Sequence, residues 1–295
     1  MEVIPTGEMV DVFGGGGCPV VFRKERKMND TVKPKERWFF KAELLVLVCL
    51  VCIWAVKSEI LDIRSIKAGD LKQTIKLGNN NPDTHLFLAN FYAESGRYPE
   101  AIESFKRLTL LEPNDAFWHL LLGNAYYDSN HPEEAIESYK AAIRLDRDCF
   151  DAHLSLGDVY YGSSRYAESI EHFKEAVRIR PDSTWAHTCL GLAYSDSGRC
   201  DDAVEAYNQL VTLKPDVADV AHLLIGNAYT ASARYEEAEA AYKQAIGIDA
   251  NMAAAHYRLG EVYLRMSNKH LALQQHEILK DLDKKLADKL FDLIH

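Results

Sequence analysis

Six tyrosines recur at a nearly fixed step: Tyr92, Tyr126, Tyr160, Tyr194, Tyr229 and Tyr263, separated by 34, 34, 34, 35 and 34 residues. Gly123, Gly157, Gly191, Gly226 and Gly260 keep the same step, with Ala89 in their place in the first copy. A second half follows each tyrosine: RYPEAIESFKRL, HPEEAIESYKAA, RYAESIEHFKEA, RCDDAVEAYNQL and RYEEAEAAYKQA. Prolines close three copies, at Pro113, Pro181 and Pro215. A unit this short cannot bury its own apolar face, so the chain is confined to architectures in which copies stack on one another.

Within each copy, positions 4, 7, 8 and 11 fall on one side of a first helix at about 100° per residue. Positions 20, 24 and 27 do the same on a second helix. Small residues at positions 8 and 20, such as Gly157 with Ser169 and Gly123 with Ala135, allow the two helices to approach closely. Turns such as SGRY and SSRY separate them.

The offsets small–Tyr–Ala–aromatic–Ala–Pro resemble the tetratricopeptide (TPR) repeat family. Six copies are counted, at 82–115, 116–149, 150–183, 184–217, 219–252 and 253–286, with one extra residue near Ala218. The resemblance implies an all-α, right-handed α-solenoid of six helix-turn-helix repeats. The sixth copy departs from the pattern at His276 and Lys284 and runs into LKDLDKKLADKLFDLIH, which looks like the helix that caps such arrays, ending over 287–295.

Six histidines, His85, His119, His153, His187, His222 and His256, share position 4. Regular spacing invites a metal or catalytic reading. Equivalent helices of neighbouring repeats lie about 8–10 Å apart or more, whereas zinc needs several nitrogens within about 2.1 Å of one point. A catalytic base also needs a nucleophile or orienting carboxylate beside it, and position 4 has no repeated one. The histidines are read as scaffold, with no metal and no cofactor expected.

Positions 2, 5, 9 and 13 lie opposite the face buried by the first helix, and in the resembled family that face lines the concave groove. The candidate partner-binding residues are Leu86, Asn90, Phe117, Leu120, Asn124, Tyr127, Leu154, Asp158, Trp185, Leu223, Asn227 and Tyr257. Leucines flanked by amides suit an extended peptide, because Asn can pair with backbone N–H and C=O. One subset of the family grips acidic peptide tails through lysines and arginines at positions 2, 5 and 6. Here those positions carry none until Arg258, and Glu94, Asp128, Asp151, Asp158 and Asp196 make the early groove acidic. A neutral or basic partner segment is expected.

Residues 82–295 hold 21 Lys+Arg against 34 Asp+Glu, a balance that repels a phosphate backbone and argues against nucleic acid as a partner. Ahead of the repeats, residues 1–37 read as a flexible basic leader. Residues 38–56, WFFKAELLVLVCLVCIWAV, would span about 28 Å as a helix, close to a bilayer's hydrocarbon thickness. They read as a single transmembrane signal-anchor, with Cys49 and Cys52 as small apolar residues within it. Residues 57–81 read as a linker or helix. Lys and Arg concentrate on the N-terminal flank, from Arg23 to Lys41, which places the N-terminus in the cytoplasm and the repeats outside it. In a bacterial source, RKERKM could be a translated ribosome-binding site, with Met28 as the start.

The expected function is a membrane-anchored, non-catalytic scaffold or adaptor that binds a protein or peptide and has no small-molecule substrate. The competing expectation is a targeting or substrate-recruiting subunit of a membrane-associated enzyme such as a transferase. Self-association through the N-terminal repeat is a third.

Overall fold

The computed structural model describes residues 81–295, which fall into two compact units divided between His131 and Pro132. The leader (1–37), the anchor (38–56), the linker (57–81, but for Asn81) and the alternative start at Met28 lie outside the described residues. No helix among the described residues is long and apolar enough to cross a membrane.

The first unit holds α1 (Pro82–Glu94), α2 (Tyr98–Leu111) and α3 (Ala116–Asp128). Asn81 caps α1, accepting a hydrogen bond from the Asp83 N–H, and Pro82 occupies the first helical position, where a missing N–H costs nothing. Leu88, Ala89, Tyr92, Ala101, Phe105, Leu108, Trp118, Leu122 and Ala125 form its core.

The second unit runs through α4 (Pro132–Leu145), α5 (Phe150–Gly162), α6 (Tyr166–Ile179), α7 (Thr184–Asp196), α8 (Cys200–Leu213), a short 3-10 turn (Pro215–Val217), α9 (Ala218–Ala231), α10 (Tyr235–Ile248), α11 (Ala253–Arg265), α12 (Lys269–Leu282) and α13 (Lys284–Ile294). The extra residue near Ala218 is taken up by the 3-10 turn and by a fifth-copy first helix that begins at Ala218. The second helix of the sixth copy ends at Leu282. Asp283 then accepts hydrogen bonds from the N–H groups of Lys285 and Leu286, so the capping helix is a separate element starting at Lys284.

From α6 onward each second helix of this unit packs against the first helix of its own copy and against the helix that follows it, and α4 packs against α5. A first helix is thereby covered from two sides. Helix α5 buries eight of its 13 residues, whereas α6 buries four of 14 and leaves one face to water. In copies three to five the repeat glycine marks the closest approach of the two helices. A Cβ at Gly157 would lie 2.5 Å from the ring of Phe173, at Gly191 2.4 Å from Tyr207, and at Gly226 2.5 Å from Tyr242. The Ser169 hydroxyl donates to the Gly157 carbonyl at 2.9 Å, closing the same contact with a buried hydrogen bond.

The turn between the two helices of a copy is a second invariant. Position 15 is left-handed in all six copies, at Gly96 (φ 71°), Asn130 (63°), Ser164 (57°), Gly198 (79°), Ala233 (57°) and Ser267 (60°). The next residue's N–H reaches back to the repeat tyrosine's carbonyl, from Arg97 to Tyr92 (2.8 Å) through Asn268 to Tyr263 (2.7 Å), which is the Schellman way of ending a helix. In four copies the residue after the left-handed one is arginine. Its guanidinium lies over the tyrosine ring, at 4.6 Å for Arg97 on Tyr92, 4.3 Å for Arg165 on Tyr160, 4.5 Å for Arg199 on Tyr194 and 4.6 Å for Arg234 on Tyr229. An acid three residues on holds the other side of each guanidinium.

Candidate partner-binding face

The histidines have a structural task. The Nε2–H of His153 donates to the Arg147 carbonyl (3.2 Å), that of His187 to Pro181 (2.9 Å) and that of His256 to Ala250 (3.1 Å). In each case the ring reaches six residues back and ties the turn between copies to the first helix. The other nitrogen can meet the second helix. His153 Nδ1 lies 3.2 Å from His172 Nδ1, and His256 Nδ1 lies 2.7 Å from the Gln275 carboxamide oxygen. His222 follows the extra residue, makes neither bond among the described residues, and has Nδ1 buried without a partner. Burial lowers its pKa, as it does that of His85, where Arg107 adds to the effect. Among the described residues no group of three or more His, Cys, Asp or Glu is placed to hold a metal ion.

The twelve candidate residues do not share one environment. In the first unit Asn90 is exposed, Leu86 is half-buried, and Phe117 is 43 % exposed with its ring 5.1 Å from that of Trp118. The Trp118 indole N–H donates to Glu112 at 2.7 Å, fixing that platform. Asn124 and Tyr127 are partly buried. Leu120 is a correction: at 5 % exposure it is core rather than surface.

In the second unit Leu154 needs the same correction. The sequence puts it on the open groove face, but it is 6 % exposed and belongs to the cluster that contains Phe150, Ile170 and Leu190. At the same position 5, Leu86 and Leu223 stay partly exposed, so this burial belongs to Leu120 and Leu154 and not to the position as such. Trp185, Leu223, Asn227 and Tyr257 remain partly exposed, as does Asp158. Asn227 is anchored from beneath: the Tyr242 hydroxyl donates to its Oδ1 at 2.8 Å. Burial pushes the Tyr242 phenol up to about 12, so it stays a donor through the neutral range.

Several surface residues on these first helices were missed. Val220 is 42 % exposed, and Phe87 in the first unit is 51 % exposed. The Tyr161 hydroxyl donates to Asp196 of the next copy, joining two first helices. Arg258 pairs with Glu261 at 2.9 Å. Position 2, which carries Phe117, Trp185 and Val220, was the available signal for Val220. The Tyr161–Asp196 bond spans 35 residues and has no local signature.

Models of the tetratricopeptide repeat match residues 68–125, 120–184 and 187–217, and a TPR repeat model matches 226–267. No curated protein matches the chain. Among solved structures it is similar to MamA, at 27 % identity and a TM-score of 0.54, over 58 % of this chain and 93 % of MamA. The C-terminal part of a TPR repeat-containing protein from Cytophaga hutchinsonii shares the fold at 19 % identity and a TM-score of 0.62, over 75 % of this chain and 95 % of that one. So does YrrB, described as a TPR protein with an unusual peptide-binding site, at 23 % identity and 0.52, over 65 % of this chain and all of YrrB (100 %). With the repeat matched from residue 68 to residue 267 and found again in the helices, the chain belongs to the tetratricopeptide-repeat family.

Proposed function

We propose that this protein is a membrane-anchored adaptor whose first helices bind an extended, neutral or basic segment of a partner protein. The observation that carries the reading is the surface left over once each first helix has been covered by two neighbours. On the second unit that surface combines apolar side chains (Trp185, Val220, Leu223, Tyr257) with an amide at Asn227 and carboxylates at Asp158 and Asp196. Apolar pockets take alternate side chains of an extended chain, amides pair with its backbone, and carboxylates select against an acidic one. YrrB, a protein of the same fold, is described as having a peptide-binding site.

Residues 38–56 are the anchor in this proposal, and the Lys/Arg bias of its flanks supports an extracytoplasmic position for the repeats. Protease added from that side is expected to digest the repeats and leave the N-terminus protected; protected repeats would reverse the topology. Asp196→Lys combined with Val220→Lys alters two exposed positions and is expected to abolish capture of the native partner. Glu171→Lys, on a second helix, is expected to leave capture intact. Equal losses from both would remove the binding face from the first helices.

A further inference from the structure

The second helices and the turn between the second and third copies form a separate cleft of about 440 Å³, lined by Ile143, Arg144, Arg147, His153, Glu175 and Arg178. Three of its six lining residues are arginines, in a stretch whose overall charge is strongly negative. None of the candidate residues of the partner-binding face belongs to it.

The three arginines differ in how they are held. Arg178 is fixed by Asp148 (2.6 Å) and Glu175 (2.7 Å). Arg144 and Arg147 make no ion pair among the described residues, whereas Arg97, Arg165, Arg199 and Arg234 each have a carboxylate partner. Arg147 also breaks the repeat's own pattern: it stands at the position that is proline at Pro113, Pro181 and Pro215. That turn is nonetheless rigid, because the Arg147 carbonyl accepts from His153, whose ring is in turn met by His172. Two uncommitted guanidiniums beside an ordered wall are an anion-recognition arrangement, since each offers a planar fork of donors to phosphoryl or carboxylate oxygens. A cleft of this size holds a small organic molecule rather than a bare ion. The surrounding negative charge repels a long polyanion and tolerates a compact dianion.

The geometry points to a second binding site here, in which Arg144 and Arg147, with Arg178 in the same lining, receive the phosphoryl or dicarboxylate head of an organic anion. The head could be carried by a free small molecule or by a partner's side chain. Its chemistry is the same in both, and calorimetry on the full chain separates them. The probes are free phosphoserine and a glycine-flanked hexapeptide carrying one phosphoserine.

Phosphoserine in either form is expected to bind the wild type, and Arg144→Gln with Arg147→Gln to weaken it at least 10-fold. Arg265→Gln, at an arginine away from the cleft, is expected to change nothing. Equal affinity for both probes assigns a small-molecule ligand, and tighter peptide binding assigns a partner side chain. A second readout is independent of heat: the bound dianion should raise the titration midpoint of His172, followed by NMR, and the double variant should not show this. Absence of binding at millimolar probe would overturn the site, as would binding that the double variant leaves unchanged. Either failure leaves the first-helix reading untouched, since no residue is shared.

Discussion

Copies three to five and copy six use the same backbone and fill it differently. In the three interior copies the repeat glycine faces an aromatic ring of its own copy, at Phe173, Tyr207 and Tyr242. In the sixth, position 24 is His276, and a Cβ at Gly260 would instead meet Leu290 of the capping helix at 2.5 Å. The interior is therefore self-packed within each copy and locked by neighbours on both sides. The end borrows its filling from an appended helix. Tight aromatic packing in a clamped pair resists distortion, whereas a leucine on a terminal helix can move.

The largest expected effect breaks this contrast directly. Gly157→Leu drives a branched side chain into Phe173 and should cost about 3 kcal/mol, the upper part of the usual overpacking range. Gly260→Leu should cost about 1 kcal/mol, because α13 can shift outward. Urea denaturation of both variants checks the pair. Equal losses would mean that the end is as rigid as the interior.

The second contrast concerns acid. In copy three His153 meets a second histidine, and in copy six His256 meets Gln275 at the equivalent place. Burial, with the His153 and Lys140 charges, pushes the His172 imidazole down from 6.5 to about 4, against a smaller opposing effect of Glu175. Arg178, Asp148, Arg147 and Arg144 are the other charged groups around this pair. The folded state binds the His172 proton more weakly than the unfolded chain does. Its stabilising contribution is thus complete above about pH 6.5 and is lost as the pH falls towards 4. His172→Gln makes copy three resemble copy six, and should remove about 1 kcal/mol of the stability difference between pH 7 and pH 4, since water screens the half-buried ring. Thermal melts across that window check it. An unchanged acid limb would assign the sensitivity to other groups, such as His85 and His222.

Much of this was legible in the sequence, and the limits have physical causes. The helix pairs follow from intervals within one copy: the glycine, the tyrosine and the Ala-aromatic-Ala spacing. The histidines could be set aside as scaffold because six equivalent slots cannot converge on one metal. Leu154 was misplaced because it joins a cluster drawn from several copies, which helical periodicity in one segment does not report. The start of the capping helix was hidden in a continuous charged run, where Asp283 acts as a cap only once its side chain meets the Lys285 and Leu286 N–H groups. Gly96 and Gly198 announced a left-handed turn residue, but Asn130, Ser164, Ala233 and Ser267 occupy the same conformation without glycine.

That last point yields the smallest expected effect. Ala233 has the least reason to sit at φ 57°, having neither glycine's freedom nor a side chain able to bond locally. Ala233→Gly should stabilise the protein by about 1 kcal/mol, and Gly198→Ala should destabilise it by a similar amount. Melting temperatures that move in the same direction for both would contradict the turn's shared geometry.

The claim that the exposed sides of the first helices hold the partner is tested most directly by where a bound partner touches the protein. A photo-crosslinking amino acid placed singly at residues 196 and 220 on first helices, and at 171 and 205 on second helices, reads this in native membranes. The account predicts one discrete crosslinked species from positions 196 and 220, and none from 171 and 205. Crosslinks from the second-helix positions alone, or from all four alike, would contradict it.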